Sequence, residues 1–213
     1  MSIPFSSGIT LSTTTPGEIL MLNESGSLVP FYIATHDYES GLNGAGRTLL
    51  VRKDCYDKRQ WHSSNVNAYA SSAIDSWLNS TYKNLLDADI RGVIGTTKIK
   101  YTPGKRNNTV GTLQRAIFLL SATELDRSAS WLNVEGTALK IASSLQIVHI
   151  NGSLTEQWTR SPITAGTGSA WCLDNAGELD GFSCTSTRGS RPAFTLPGTL
   201  SVEQNADGTY SIA

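Results

Sequence analysis

Charge is scarce in this sequence. It sets 17 Lys and Arg against 18 Asp and Glu over 213 residues, a formal net charge of -1. A field that weak excludes a protein built to seek the nucleic-acid backbone, and the one basic concentration, Lys98, Lys100, Lys105 and Arg106, reads as a solvated loop. Long apolar runs are missing, so no membrane-spanning helix is expected. The opening MSIPFSSGITLSTTTPGEI has neither a basic stretch nor an apolar one behind it, so the expectation is a soluble chain made in the cytoplasm without a secretory signal. Cysteine is sparse too. Cys55, Cys172 and Cys184 are an odd number with no C-x-x-C pair, which argues against a disulfide framework. His36, His62 and His149 stand apart, so neither a metal nor a cofactor is expected. The chain has no G-x-S-x-G elbow, and Gly41, Gly44 and Gly46 precede no helix pattern, which makes them a plain connection rather than a phosphate loop.

What is present is apolar material, 39% of residues, enough for one well-formed core at this length. Apolar runs at Glu18 to Leu22 and Leu28 to Thr35, split by the polar turn Asn23 to Ser27, read as a strand hairpin, and TLLVRKD reads as a further strand. In SSAIDSWLNSTYKNLLDADIRGVIG, the residues Ile74, Trp77, Leu78, Tyr82, Leu85 and Leu86 recur every three or four positions, one stripe of an amphipathic helix with Trp77 towards the core. Asp87 is placed to cap a second short helix closed by Gly95. Ser121 and Glu124 have the spacing of a capping box, which predicts a third helix after the strand AIFLL. Strands, then helices, then strands indicate an α+β domain. The expected division is an extension at 1–16, a single domain at 17–197, and a C-terminal strand hairpin or assembly tail at 198–213.

Two arginines stand before prolines or next to aromatics, in WTRSP (158–162) and SRPAF (190–194). A guanidinium offers five donors in a planar fork, so Arg160 and Arg191 are read as structural ties between loops, with Trp158 buried beside them. Between them, Trp171, Leu173, Leu179 and Phe182 flank a turn at Asn175 to Glu178. This is a hairpin with Gly-, Ser- and Thr-rich arms, and aromatic anchors among small polar groups are what binding loops use. The expected ligand set is Trp171 and Phe182 for stacking, with Asp174, Asn175, Glu178, Asp180, Ser183 and Thr185 for hydrogen bonds. A second reading leaves Trp171 and Phe182 as core residues under an ordered loop. The carboxylates Asp174, Glu178 and Asp180 read as solvated hairpin acids rather than a glycosidase pair.

The order and spacing of RQWHSSNVN, SAIDSWLNSTYKNLLDADIRGVI, IFLLSATEL, WTRSP and GSRPAFTLP resemble an uncharacterised domain family found in bacteriophage tail regions, prophages and gut bacteria. In that family W-L-R-S-P and G-V-R-P-A close the domain, and this chain departs from it with Thr159 and Ser190. More remotely, the family is similar to C-type-lectin-like folds of the formylglycine-generating-enzyme type. The resemblance implies a mixed, mainly antiparallel fold with two to three short helices and a long, loop-rich C-terminal half. It also implies a non-enzymatic protein on the virion tail surface that binds a bacterial surface glycan or protein receptor, joins other tail proteins and forms a homo-oligomer. The alternatives are a purely structural virion or baseplate component and a glycan-degrading tail enzyme. Neither membrane insertion nor calcium is expected: DNAGELDG lacks an EF-hand ligand series and the lectin ligand triplets.

Overall fold

A computed structural model describes residues 8–213. Two sheets dominate it. The larger has eight strands, and its centre is the hairpin Ile19–Glu24 and Ser27–Thr35, followed by Arg47–Arg52, which pairs with Ala193–Pro197. Ser25 and Gly26 carry the tight turn, both with left-handed backbone (φ 56° and 81°), which two-residue hairpins require. Alternation along Ile19–Glu24 sends Leu20 and Leu22 inward. They meet Phe31, Ile33, Leu50 and Phe194 in a core where each such side chain contributes roughly 1.5–3 kcal/mol.

The second sheet has five strands in the order Leu179–Ser183, Ser169–Leu173, Gln157–Pro162, Thr187–Ser190, Asp57–Gln60. Gln157–Pro162 is its central strand and is buried along its whole length, as a strand covered on both faces must be. The architecture is therefore α+β, with a small share of helix and much strand. No helix among the described residues is long and apolar enough to cross a membrane.

Both ends of the described residues join the larger sheet. Ile9–Thr10 pairs with Ser201–Gln204, and Tyr210–Ile212 pairs in parallel with Ile19–Glu24. Of the expected extension at 1–16, residues 1–7 lie outside the described residues, Ile9–Thr10 is a strand of the sheet and Leu11–Thr13 a 3-10 turn. Ser201–Gln204 and Tyr210–Ile212 pair around the turn at Asn205 to Gly208, and Tyr210 pairs with Leu20.

The helices depart from the sequence reading in several ways. The stripe from Ile74 is not one helix: Ala73–Ser80 is α-helical, with Ser72 Oγ accepting the Asp75 N–H at 3.1 Å, and Tyr82–Leu85 is a separate 3-10 turn. Trp77 is partly buried and packs against the core as expected of the stripe, with the Arg59 guanidinium 3.4 Å from its ring centroid. Asp87 occupies the N-cap of Ala88–Val93 without a side-chain cap bond.

At Ser121 both capping-box bonds form, Glu124 N–H to Ser121 Oγ (3.1 Å) and Ser121 N–H to Glu124 Oε2 (2.8 Å). No helix follows. Asp126 turns left-handed (φ 58°) and stops propagation one turn later. Two short helices instead appear at Ser40–Asn43 and Ala142–Leu145. Within the C-terminal half the irregular structure is concentrated at 119–141, without helix or strand, whereas 157–197 is mostly strand.

Candidate functional site

Arg160 is fully buried and all its donors are used. Nη1 and Nη2 bond Glu124 at 2.6 and 3.0 Å, and the remaining N–H groups reach the carbonyls of Lys100 (2.8 Å), Leu119 (2.9 Å) and Glu135 (3.1 Å). Burial alone would depress this guanidinium; the Glu124 carboxylate outweighs it and holds Arg160 above the ordinary arginine range. The Tyr38 hydroxyl donates to Glu124 Oε1 at 2.5 Å. Glu135, also fully buried, accepts from Thr102 N–H and Ser161 Oγ, both at 2.5 Å, and burial raises its pKa. This polar centre fastens two surface loops, 102–110 and 127–137, to the central strand.

Arg191 is buried as deeply but without a carboxylate partner. It donates to the carbonyls of Arg52 (2.7 Å), Lys53 (2.6 Å) and Leu145 (2.6 Å), and burial pushes its pKa down to about 10. Trp158 is buried and donates to the Arg59 carbonyl at 2.9 Å. At the two positions that depart from the family motifs, Thr159 Oγ1 donates to the Trp171 carbonyl (2.8 Å) and Ser190 Oγ to Asp57 Oδ1 (2.7 Å). Polar side chains there are bonded rather than stranded.

The structure divides the expected ligand set. Trp171 pairs with Gly181, and Ala170 with Phe182. Successive positions on a strand face opposite sides, so Trp171 and Phe182 lie on opposite faces of the hairpin and cannot clasp one ligand. Phe182 packs on the core with the Arg188 guanidinium 3.8 Å from its ring centroid. Asp174 is occupied by its own turn, its Oδ1 accepting the N–H groups of Ala176 (2.8 Å) and Glu178 (2.9 Å). Asn175 is exposed at the tip, and Glu178 faces Arg127 at 3.5 Å. Asp180 is exposed on the edge strand. Ser183 and Thr185 sit at the opposite end of the hairpin, where Ser183 Oγ donates to Asn65 Oδ1 at 2.9 Å and lies 2.8 Å from Thr185 Oγ1. Four strand steps separate the tip from this end, roughly 13 Å.

Loops converge at that second end. Asn67, wholly buried, is the hub: its N–H reaches the Thr167 carbonyl (2.7 Å), its amide NH2 the carbonyls of Ile163 (3.0 Å) and Ser169 (3.1 Å), and its Oδ1 accepts from Lys105 N–H (2.8 Å). Asn133 bonds the Asn108 carbonyl at 2.8 Å, tying loop 127–137 to loop 102–110. Above this sits Trp131, 63% exposed, with left-handed backbone (φ 67°). Its carbonyl is held by Thr164 N–H (2.9 Å) and by the Trp171 indole N–H (3.4 Å).

A bulky residue in that conformation is an outlier that survives only where its surroundings determine it. Sequence patterning gives no sign of Trp131. It stands in SASWLN, where no period predicts its exposure. Clefts lie elsewhere, one of about 590 Å³ beside Asp75 and Arg115 and one of about 380 Å³ between Asp37 and Lys140. In the first, Asp75 is committed to Arg115 at 2.8–2.9 Å, and burial raises its pKa to about 6. Among the described residues no group of three or more His, Cys, Asp and Glu is placed to hold a metal.

A family model described as a domain of unknown function (DUF6273) matches residues 45–198. No curated protein and no solved structure matches the chain.

Proposed function

We propose, from the premise that this chain belongs to the DUF6273 family and so carries a domain of unknown function, that it is a ligand-binding module. Its site is the loop end built by residues 62–68, 102–110, 131–134, 163–169 and 183–185. The observation that carries this reading is Trp131, displayed to solvent on a left-handed backbone whose carbonyl is pinned twice. Such an aromatic costs folding energy and gives the core little in return, whereas a fixed indole is well suited to stack on the apolar face of a sugar. Trp171 lies beside it, and Asn65, Ser183 and Thr185 provide hydrogen-bonding groups at the same end.

The ligand is a glycan of a bacterial surface, and the setting is a phage or prophage tail. The setting is supported by the likeness of WTRSP and GSRPAF to tail-region domains. A C-type-lectin-like fold is supported by the meeting of the terminal strands in one sheet and by loops gathered at one end. Binding is favoured over catalysis because the buried carboxylates are all engaged, Glu24, Asp75 and Glu124 by an arginine each and Glu135 by Thr102 N–H and Ser161 Oγ. The test is pull-down of the purified protein by intact bacterial cells of a strain panel, parent against Trp131→Ala. Loss of binding with an unchanged melting temperature supports the site. Equal binding by both removes Trp131 from it.

A further inference from the structure

The loop tied to the Trp131 segment by Asn133 is strained as well. Lys105 and Arg106 also carry left-handed backbone (φ 52° and 66°), and they fill both central positions of a tight turn closed by Asn107 N–H to the Gly104 carbonyl at 2.9 Å. A turn with two successive left-handed residues is the one that Asn-Gly fills at least cost. Two long basic side chains there break a local rule, and such breaks concentrate at functional positions.

The turn is also firmly mounted. Lys105 N–H bonds Asn67 Oδ1, and Gly104 lies so close beneath it that a Cβ would fall 2.0 Å from the Asn67 carbonyl oxygen. The same loop is fastened by Asn133 to the segment bearing Trp131. Both basic side chains are exposed, and neither is among the ion pairs of the described residues. Folding gains nothing evident from this arrangement. A ligand would.

We infer that the loop end recognises an anionic polysaccharide, an inference that rests on the binding-module reading above. Trp131 takes the apolar face of a sugar ring, while Lys105 and Arg106 meet the carboxylate or phosphate that the polymer carries. With a net charge of -1 the whole protein exerts little attraction on a polyanion, so selectivity comes from these two contacts rather than from long-range steering.

The experiment is affinity electrophoresis of the full chain through gels containing polygalacturonate, polyglycerol phosphate or neutral dextran. The proteins compared are the parent, Lys105→Gln/Arg106→Gln and Trp131→Ala, each also scored for binding to intact cells. The expected result is retardation of the parent by an anionic polymer and not by dextran. The double exchange should weaken it about tenfold, the loss expected for two solvent-exposed charge contacts, and added salt should weaken it further. Which gel retards the parent distinguishes a uronate from a phosphodiester. Retardation by dextran, equal retardation of parent and double variant, or no retardation by either anionic polymer overturns the anionic assignment. In each of those cases the cell assay with Trp131→Ala decides separately: lost binding keeps the binding module, and unchanged binding removes it as well.

Discussion

Truncating Arg191 to alanine should be among the most damaging single changes in this protein. Its fork joins the carbonyls of Arg52 and Lys53, at the end of a core strand, to that of Leu145, and it reaches Gln157 Oε1 at 3.4 Å. The Leu145 carbonyl keeps a second donor in Gln157 Nε2 at 2.7 Å, so the loss falls chiefly on Arg52 and Lys53. Two partly buried acceptors left unpaired cost up to roughly 1–3 kcal/mol each. Removal of a buried cation that lacks a carboxylate partner returns part of this, because desolvation already pushes the arginine down to about 10. The net expectation is about 3 kcal/mol, which in a domain of this size lowers the melting temperature by about 6–12 °C. Calorimetry of Arg191→Ala beside the surface control Lys58→Ala measures it. Arg191→Lys, with three donors on a point charge in place of a fork, should recover only part of the loss. A melting temperature for Arg191→Ala within about 2 °C of Lys58→Ala would refute the reasoning, since the bonds would then contribute nothing.

Four further outcomes follow from the same structure. Lys105→Asn/Arg106→Gly should stabilise the protein by about 1–2 kcal/mol in urea unfolding, because it gives the left-handed turn its cheapest residues; the same variant should lose ligand affinity. Gly104→Ala should cost about 2–3 kcal/mol by the same assay, since it adds a side chain both at positive φ and against the Asn67 carbonyl. The thiols of Cys55, Cys172 and Cys184 are all pushed up to about 12 by burial, so a thiol reagent at pH 8 should label none in the native protein and all three in denaturant. Asp75 has a folded pKa raised to about 6 by burial, so its contribution is fully present below about pH 4 and lost as pH rises through 6. Relative to Asp75→Asn, the parent should therefore gain on the order of 2 kcal/mol between pH 7 and pH 4, and a flat difference in unfolding free energy would contradict this.

The parts of the fold that could be read from sequence are those governed by local rules. The 19–35 hairpin follows from alternation and a turn that Gly26 completes, and the helix at 73–80 follows from its stripe, though not its end at Ser80. The capping-box bonds at Ser121 and Glu124 were legible too. The absent helix was not, because Asp126 turns the chain and Arg160 claims the Glu124 carboxylate from across the core. The candidate site was the least legible. Trp171 and Phe182 look like a pair in sequence, yet the register of Ser169–Leu173 against Leu179–Ser183 places them on opposite faces. Trp131 and the 105–106 turn are positioned by Asn67, Asn133 and Thr164 from distant parts of the chain. No local pattern encodes that convergence.

Hydrogen–deuterium exchange with and without the polysaccharide extracted from a bacterium that binds the protein tests the central claim most directly. The account predicts added protection in peptides covering 102–110, 127–137 and 163–169, with none at the hairpin tip 174–178. Protection confined to the tip, or to the clefts beside Asp75 or Asp37, would place the ligand elsewhere and contradict it.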